Sequence, residues 1–391
     1  MRQGSSDHTT KMQRGEAGYY FRQGEFVYYL DEGTGQLLPL CSKADCLHDR
    51  ETDRERLESC NAHMHFDEFS NDFSGGMAYY NGYLYCLTDN GFNEETTLYR
   101  LSEDGSKKEQ VYRWTDVRVE EWIIHRGIFY YAEHTYTYDE EGEIQGLFTL
   151  KSLNLTDAVR EPKSIYALEE ENVYYAGFNW YRAYGNYLYF IVSGGEDEGA
   201  DGLYPYEKTF IYDIVNDKVT ELTYEGMPKE EDIVEFTFWQ DRIVFKPIIW
   251  DVNDMLGSYL RDGTVYIADL NGLNTEVLIE NVPMGYNVIS DGRYLYLTNA
   301  FMATVGTRRL GLINYDEEKT FWVYDENLEL VDSFVLPRGV EVFGYPPLGD
   351  EDWMLITYQD DNGGWGVLRF DKSKIGSCNG AEIEFEVIPY N

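Results

Sequence analysis

The sequence predicts an all-β protein, because short aromatic segments that end in Asp- or Gly-marked turns recur along it and helical periodicity is nearly absent. The recognisable copies of this segment begin at Phe26, Thr97, Phe148, Thr209, Thr264, Thr320 and Gly366. Repeats of this size whose units are all β are typical of β-propeller blades, each of which buries its faces against its neighbours. We therefore predict a β-propeller of seven four-stranded blades, with six or eight blades as alternatives.

Each repeat can be divided into four short strands joined by tight turns. Asn81-Gly82 and Asp104-Gly105 lie between strands of the second repeat, and both dipeptides favour the positive φ angles of a hairpin. The strands of this repeat are predicted over 77–80, 83–87, 97–102 and 109–112. Equivalent second strands are predicted over 128–131, 187–190, 243–245, 294–297 and 353–356. The aromatic residues predicted to pack between sheets include Tyr85, Phe190, Phe245 and Tyr296.

The start of the chain departs from the four-strand pattern. Residues 18–21, 26–31 and 36–40 match only the last three strands of a repeat. We expect a three-stranded first blade that packs beside the last blade without sharing a strand with it. The predicted organisation is a flexible N-terminal segment over 1–16 and one propeller domain over 17–391, with a Cys/His-rich insert at 41–70. A charged stretch within the insert, residues 49–59, is the only helical candidate.

The charge of the chain argues against two classes of partner. The 391 residues include 71 acidic and 32 basic side chains, for a formal net charge of −39. Such a field repels phosphate backbones and anionic lipid headgroups, so we predict no binding to nucleic acid. The sequence has no apolar run long enough to span a bilayer, so we predict no membrane span. We also expect the protein to be a monomer.

The most specific local pattern is a cluster of cysteine and histidine in the insert. Cys41, Cys46, His48 and Cys60 lie in the longest step between repeats, from Phe26 to Thr97. Three thiols and one imidazole can form the closed tetrahedral shell of a structural zinc site. We predict this site from these four residues, with His63 or His65 as a substitute for His48. The alternatives are a disulfide, either Cys46–Cys60 or Cys41–Cys60, and unlinked loop cysteines.

Other residues give weaker indications of chemistry. No G-x-S-x-G, phosphate-binding G-x-x-x-x-G-K-[ST] or H-E-x-x-H pattern occurs. His125 and His134 are interpreted as surface or edge histidines, and Cys86 as a small buried residue. The acidic, Gly-rich loop over 193–202 could hold calcium. Paired carboxylates at a central channel would suit a polysaccharide hydrolase or lyase, which is the alternative function.

Long connections between second and third strands favour a binding function instead. They cover residues 193–207, 247–261 and 299–317, and they are expected at one rim of the propeller. The aromatic residues that we predict to bind a ligand there are Tyr204, Tyr206, Trp250, Tyr259, Phe301 and Tyr315. The preferred hypothesis is a non-enzymatic binding module for a protein, peptide or glycan.

One repeat also carries a family resemblance. Residues 265–278, Val-Tyr-Ile-Ala-Asp-Leu-Asn-Gly-Leu-Asn-Thr-Glu-Val-Leu, resemble the strand-turn-strand unit of low-density-lipoprotein-receptor-type and TolB-type propellers. The whole chain is similar to extracytoplasmic β-propeller proteins of anaerobic Gram-positive bacteria, many of them lipoproteins, which have no assigned activity. The resemblance implies a propeller fold and an extracytoplasmic location, cell-surface or secreted. It implies no particular activity.

Overall fold

A computed structural model gives the structure of the protein. The residues that it describes are 12–31, 33–64, 76–89, 95–115, 117–138, 144–171, 177–197, 203–227, 232–250, 258–259, 263–283, 286–300, 318–337, 340–342, 348–360 and 365–389. Contacts divide the chain into two compact units.

The described strands form seven antiparallel sheets, and each sheet contains a path of four strands in chain order. These sheets are the blades of a β-propeller, as predicted. Blades 1 to 3 and most of blade 4 belong to one unit, and blades 5 to 7 belong to the other.

The strands of the first unit follow the meander order that short hairpins impose. Blade 1 contains β1 (Met12–Arg14), β2 (Tyr19–Gln23), β3 (Phe26–Asp31) and β4 (Gln36–Pro39). Blade 2 contains β5 (Met77–Tyr80), β6 (Tyr83–Asp89), β7 (Glu95–Ser102) and β8 (Lys108–Thr115). Blade 3 contains β9 (Arg118–His125), β10 (Ile128–Tyr138), β11 (Ile144–Asn154) and β12 (Lys163–Glu171). Blade 4 contains β13 (Gly177–Tyr184), β14 (Tyr187–Asp197), β15 (Leu203–Asp213) and β16 (Lys218–Glu221).

The second unit keeps this order and adds two short strands. Blade 5 contains β17 (Asp232–Trp239), β18 (Arg242–Trp250), the short β19 (Ser258–Tyr259), β20 (Gly263–Asp269) and β21 (Glu276–Val282). Blade 6 contains β22 (Asn287–Ser290), β23 (Leu295–Thr298), β24 (Thr320–Tyr324) and β25 (Leu330–Val335). Blade 7 contains β26 (Val340–Val342), the short β27 (Leu348–Gly349), β28 (Trp353–Asp360), β29 (Trp365–Asp371) and β30 (Glu386–Pro389).

The turn between β5 and β6 shows why the repeats could be recognised from the sequence. Asn81 and Gly82 have φ angles of 50° and 79°, which is the conformation that an Asn-Gly hairpin favours. Tyr80 and Tyr83 are therefore paired directly across the turn. This register places Tyr85 in the core, where it is buried together with Phe190, Phe245 and Tyr296 in their own blades. The predicted packing positions are confirmed.

The prediction of a three-stranded first blade is wrong. β1 pairs antiparallel with β2, with Met12 opposite Phe21, and gives the blade a fourth strand. Met12 and Gln13 are both buried, although β1 lies within the stretch 1–16 that the sequence suggested as flexible. Three residues are too few to show a strand period. The described strands of the first and last sheets come from residues 12–39 and 340–389, so no described strand is shared between them.

Helix is confined to short pieces in the described residues. The α-helix Arg54–Ser59 begins after Asp53, whose carboxylate accepts a hydrogen bond from the Arg56 N–H at 3.1 Å. This confirms the helical candidate in the insert. Single 3₁₀ turns cover His48–Arg50 and Lys372–Lys374. None of the helices in the described ranges is long and apolar enough to cross a membrane.

Candidate metal centre

The insert leaves the fourth strand of blade 1 and returns to the same blade before blade 2 begins. The Val27 N–H donates to the Ala62 carbonyl at 2.9 Å, and the Met64 N–H donates to the Glu25 carbonyl at 2.7 Å. Residues 62–64 therefore lie beside the start of β3, just beyond the stretch that pairs with β4. Residue 40, just before the insert, and residues 62–64 within it are therefore bonded to blade 1 near the start of β3.

Blade 2 holds the insert from the other side through the hairpin between β7 and β8. The carbonyl oxygen of Gly105 accepts hydrogen bonds from the Ser42 N–H at 3.2 Å and from the Asn61 side-chain amide at 2.8 Å. The ammonium of Lys108 donates to the His63 carbonyl at 2.6 Å. Cys60, Ala62 and Met64 are buried in the same apolar cluster as residues of blades 1 and 2. The insert thus fills the junction between these blades.

Within this frame, the structure brings together the side chains of Cys41, Cys46, His48 and Cys60. Their ligand atoms all lie within 4.8 Å of one another, and Cys60 Sγ is 3.7 Å from His48 Nδ1. Metal–sulfur bonds of about 2.3 Å and metal–nitrogen bonds of about 2.0 Å put tetrahedral ligand atoms roughly 3.5–3.8 Å apart. This Cys₃His group could hold a metal ion.

Local structure explains how a mostly polar segment presents these four side chains. The Cys46 N–H donates to the Lys43 carbonyl at 3.3 Å, which closes a turn between the first two cysteines. The α-helix Arg54–Ser59 then ends at Cys60, whose N–H donates to the Leu57 carbonyl at 2.9 Å. The turn and the helix therefore bring Cys46 and Cys60, which are far apart in the insert, close together.

His48 occupies a backbone conformation that few residues with a side chain adopt. Its φ angle is 56°, in the left-handed region, which costs an L-residue about 1–2 kcal/mol. Histidine is one of the residues enriched there. The conformation begins the 3₁₀ turn His48–Arg50, and it places the imidazole beside the Cys60 thiol. Backbone strain at a position that points a ligand into a cluster is consistent with a functional constraint.

The electrostatic environment distinguishes two of the thiols. Burial raises the pKa of Cys41, but N–H groups of Lys43 and Asn61 and the neighbouring thiols of Cys60 and Cys46 outweigh it, so the pKa is lowered overall. Burial also raises the pKa of Cys60, to about 12, despite an N–H from Ala62. N–H groups directed at sulfur stabilise a thiolate, which is the form that binds a metal. All five cysteines, each in the described part of the chain, are free.

The two histidines suggested as substitutes for His48 are placed differently. His63 is buried against Phe26, with 5.3 Å between the ring centroids, and its Nε2 is 3.3 Å from a Glu25 carboxylate oxygen. His63 is therefore outside the Cys₃His group. His65 lies outside the described residues. Pairing of residues 62–64 with β3 is what separates His63 from the cysteines.

The predicted binding rim falls largely beyond what the structure describes. Phe301 and Tyr315 lie outside the described residues, as do residues 198–202 of the suggested calcium loop. Tyr204 and Tyr206 lie in β15, Trp250 in β18 and Tyr259 in β19, and only the backbone of these four is described. The ligand-binding and calcium hypotheses stay predictions.

Sequence reasoning missed several residues that surround the metal centre. Asn61, Gly105 and Lys108 hold the insert, yet Asp104-Gly105 was interpreted only as a hairpin turn. No local pattern could reveal contacts between residues so far apart in sequence. His125 and His134 are buried, so the prediction that they lie at the surface is wrong, although His125 does lie on β9, an edge strand of its sheet. His125 Nε2 lies 2.9 Å from the Gly185 carbonyl of the next blade. Cys86 is buried, as predicted.

Comparisons with known proteins give likenesses of fold. No protein-family model matches the chain, and no curated protein matches it. Oligogalacturonate lyase from Vibrio parahaemolyticus is similar with a TM-score of 0.49 and 12% identity, over 94% of this chain and 90% of that one. An uncharacterized protein from Listeria monocytogenes has a TM-score of 0.46 and 11% identity, over 83% and 85% of the two chains.

A third solved structure is the β-propeller domain of the Trilobed protease from Pyrococcus furiosus, which has an open velcro topology. It has a TM-score of 0.44 and 14% identity, and the match covers 82% of this chain and 86% of that domain. The propeller assignment rests on the seven sheets of the chain itself.

Proposed function

We propose that the Cys₃His group binds a structural zinc ion, and that the propeller it stabilises is a non-enzymatic, extracytoplasmic binding module. The proximity of the four ligand atoms, all within 4.8 Å of one another, carries the first part. The location rests on the family resemblance of the sequence.

The donor set argues for zinc over other common ions. Three thiolates and an imidazole are soft or borderline ligands that suit zinc, whereas calcium and magnesium require oxygen ligands. Four protein ligands complete a tetrahedron and leave no position for water or substrate. The ion would therefore act as a cross-link between parts of the insert. It would order a segment whose helix, Arg54–Ser59, has no buried residue.

The experiment is elemental analysis of the purified protein combined with thiol counting before and after chelation. We expect one zinc ion per chain, with additional thiols titrating once the metal is removed. Cys46→Ser should lose the zinc, while Cys378→Ser, which changes a free cysteine outside the group, should retain it. Absence of metal with two thiols missing would support the disulfide instead. Absence of metal with all five thiols free would contradict both cross-links.

The binding function is supported by two hairpins that extend beyond the first strand of their blade. In blade 3, residues 135–138 of β10 pair with β11 but have no partner in β9 among the described residues. β10, β11, β14 and β15 each contain eleven residues, whereas β5 and β22 contain four. Long hairpins on a rigid sheet are suitable places for recognition. Both connect second and third strands, and the blade 4 hairpin includes part of the connection 193–207 that the sequence analysis assigned to the aromatic rim.

Shortening one hairpin tests this function. Residues 136–146 are replaced with an Asn-Gly turn, and both proteins are assayed against arrayed polysaccharides and peptides. We expect the wild-type protein to bind at least one of the arrayed ligands. The shortened protein should not bind that ligand, although its melting temperature should equal that of the wild type. Accumulation of new reducing ends or unsaturated sugars when the wild-type protein is incubated with the polysaccharides would overturn the proposal in favour of a hydrolase or lyase.

A further inference from the structure

We infer that Lys108 supplies the counter-charge of the Cys₃His metal centre and thereby sets the affinity of the centre for its ion. The inference rests on the proposed zinc site, and it assigns a positioning role to a residue from a different blade. Lys108 is the first residue of β8, and its side chain reaches across the blade junction to the insert.

The contacts of Lys108 fix its ammonium against the insert that carries the candidate ligands. Nζ donates to the carbonyl of His63, three residues after Cys60, at 2.6 Å. Nζ also lies 5.2 Å from the centroid of the Tyr99 ring, which belongs to the same cluster as Cys60 and Cys86. A hydrogen bond and an aromatic ring therefore hold the charge in one place, whereas most lysine side chains move freely in water.

The charge of the loaded centre explains why such a residue is needed. A zinc ion with three thiolates and a neutral imidazole carries a net charge of −1. Cys60 is fully buried while the other three side chains are half-buried, and charge on the buried Cys60 is costly unless it is paired. The ammonium of Lys108 makes the combined charge zero. In a chain of net charge −39, an anionic centre without a cation would be disfavoured further.

The interaction is mutual, because each partner makes the other less costly to bury. Burial lowers the pKa of Lys108, and a thiolate at Cys60 would oppose that effect. Metal binding converts thiols to thiolates and so creates the anionic partner that the ammonium requires. Lys43 is a second cation nearby, bonded to the Ser59 carbonyl, but it is exposed and its charge is screened by water. Lys108 is the better placed of the two.

Four variants separate charge from hydrogen bonding. Lys108→Met removes both the charge and the bond, Lys108→Gln keeps an N–H donor without the charge, and Lys108→Arg keeps the charge. Lys107→Met changes the adjacent exposed lysine and is the control. Zinc affinity is measured on the full chain by competition with a chromophoric chelator. The fold is checked by thermal unfolding of each metal-loaded variant.

We expect Lys108→Met and Lys108→Gln to bind zinc at least tenfold more weakly, in the range seen when residues behind metal ligands are replaced. Lys108→Arg should remain within about threefold of the wild type, like the control. Full affinity in Lys108→Gln would overturn the inference, because the hydrogen bond alone would then suffice. If Lys108→Met does not fold, the comparison of Lys108→Gln with Lys108→Arg still shows whether zinc affinity depends on the charge. Absence of zinc from the wild type would refute the proposed site itself, whereas wild-type binding with unchanged Lys108 variants would refute only this inference.

Discussion

The side-chain amide of Asn61 donates a hydrogen bond to the carbonyl oxygen of Gly105, with 2.8 Å between nitrogen and oxygen. Asn61 follows the ligand Cys60 in the chain, while Gly105 lies in the hairpin of blade 2. The bond therefore connects the segment that carries the Cys₃His group to a neighbouring sheet. Gly105 is also close to the chain at Cys41, because a Cβ added to it would meet the Cys41 nitrogen at 2.8 Å.

Replacing Gly105 with Ala should destabilise the protein more than the same change at Gly35. Both glycines have a φ angle of 67°, so both variants incur about 1–2 kcal/mol for a left-handed alanine. A Cβ at Gly35 meets nothing within 4 Å, whereas one at Gly105 clashes with backbone. We expect a further loss of about 1–3 kcal/mol for Gly105→Ala, measured by denaturant unfolding. Equal losses in the two variants would show that the hairpin can move away from the insert.

Phe190→Ala should cost about 3–5 kcal/mol in the free energy of unfolding. Phe190 is fully buried, and its ring lies 5.8 Å from the Phe178 ring centroid. Val159→Ala is the control, since Val159 is 73% exposed and should change stability by less than about 0.5 kcal/mol. A loss below about 1 kcal/mol for Phe190→Ala would contradict the register of β14, because a shift of one residue turns the ring to the other face.

Breaking the ion pair between Lys372 and Asp291 should be strongly destabilising. The Lys372 ammonium is almost fully buried, 2.6 Å from the Asp291 carboxylate and 2.6 Å from the Asp350 carbonyl. Lys372→Met leaves a carboxylate without its cation, which costs about 3–5 kcal/mol.

Thermal and denaturant unfolding of Lys372→Met, Asp291→Asn and the double variant would measure the coupling. The exposed pair Lys163–Asp217 is the matched comparison, and Lys163→Met should leave stability nearly unchanged. A loss at Lys372 no larger than at Lys163 would mean that water reaches the buried pair.

Asp332 should make stability depend on pH in the acid range. Burial raises the pKa of its carboxyl, but N–H groups of Cys378, Asn379, Gly376 and Ser333 outweigh this and lower the pKa overall. A carboxyl with a depressed pKa in the folded state stabilises the protein above its unfolded pKa, about 3.9, and loses that contribution as the pH falls through the folded value.

Asp332→Asn should accordingly be less stable than the wild type at neutral pH by about 1–3 kcal/mol. The difference should shrink as the pH falls below about 4, because the wild-type carboxylate is then protonated as well. Unfolding free energies of both proteins across this range test the expectation. A constant difference would show that the amide replaces the carboxylate poorly for reasons of shape alone.

The sequence was sufficient for the blades because their signals are local. Turn dipeptides such as Asn81-Gly82 and the buried aromatic of each second strand lie within a few residues of one another. β1 was missed because Met12–Arg14 is recognised only through its pairing with β2. The burial of His125 was missed for a similar reason, since its contact with Gly185 joins two blades.

For the metal centre, spacing identified the candidate ligands but could not choose among the histidines. Placement of His63 depends on the pairing of residues 62–64 with β3, which turns its ring toward Phe26. Selection of His48 depends on a left-handed backbone that composition does not indicate. The contribution of Lys108 required knowledge of which blade lies next to the insert.

The order of the strands has a consequence for synthesis on the ribosome. Each sheet is built from one continuous stretch of chain, and its hairpins join strands that are neighbours in sequence. Blade 1 can therefore complete the hydrogen bonds of its sheet before the later blades have been translated, and all the described strands of blade 7 come from residues 340–389. Few strands therefore wait for a partner from a distant part of the chain, which limits the opportunity for nascent chains to pair with one another.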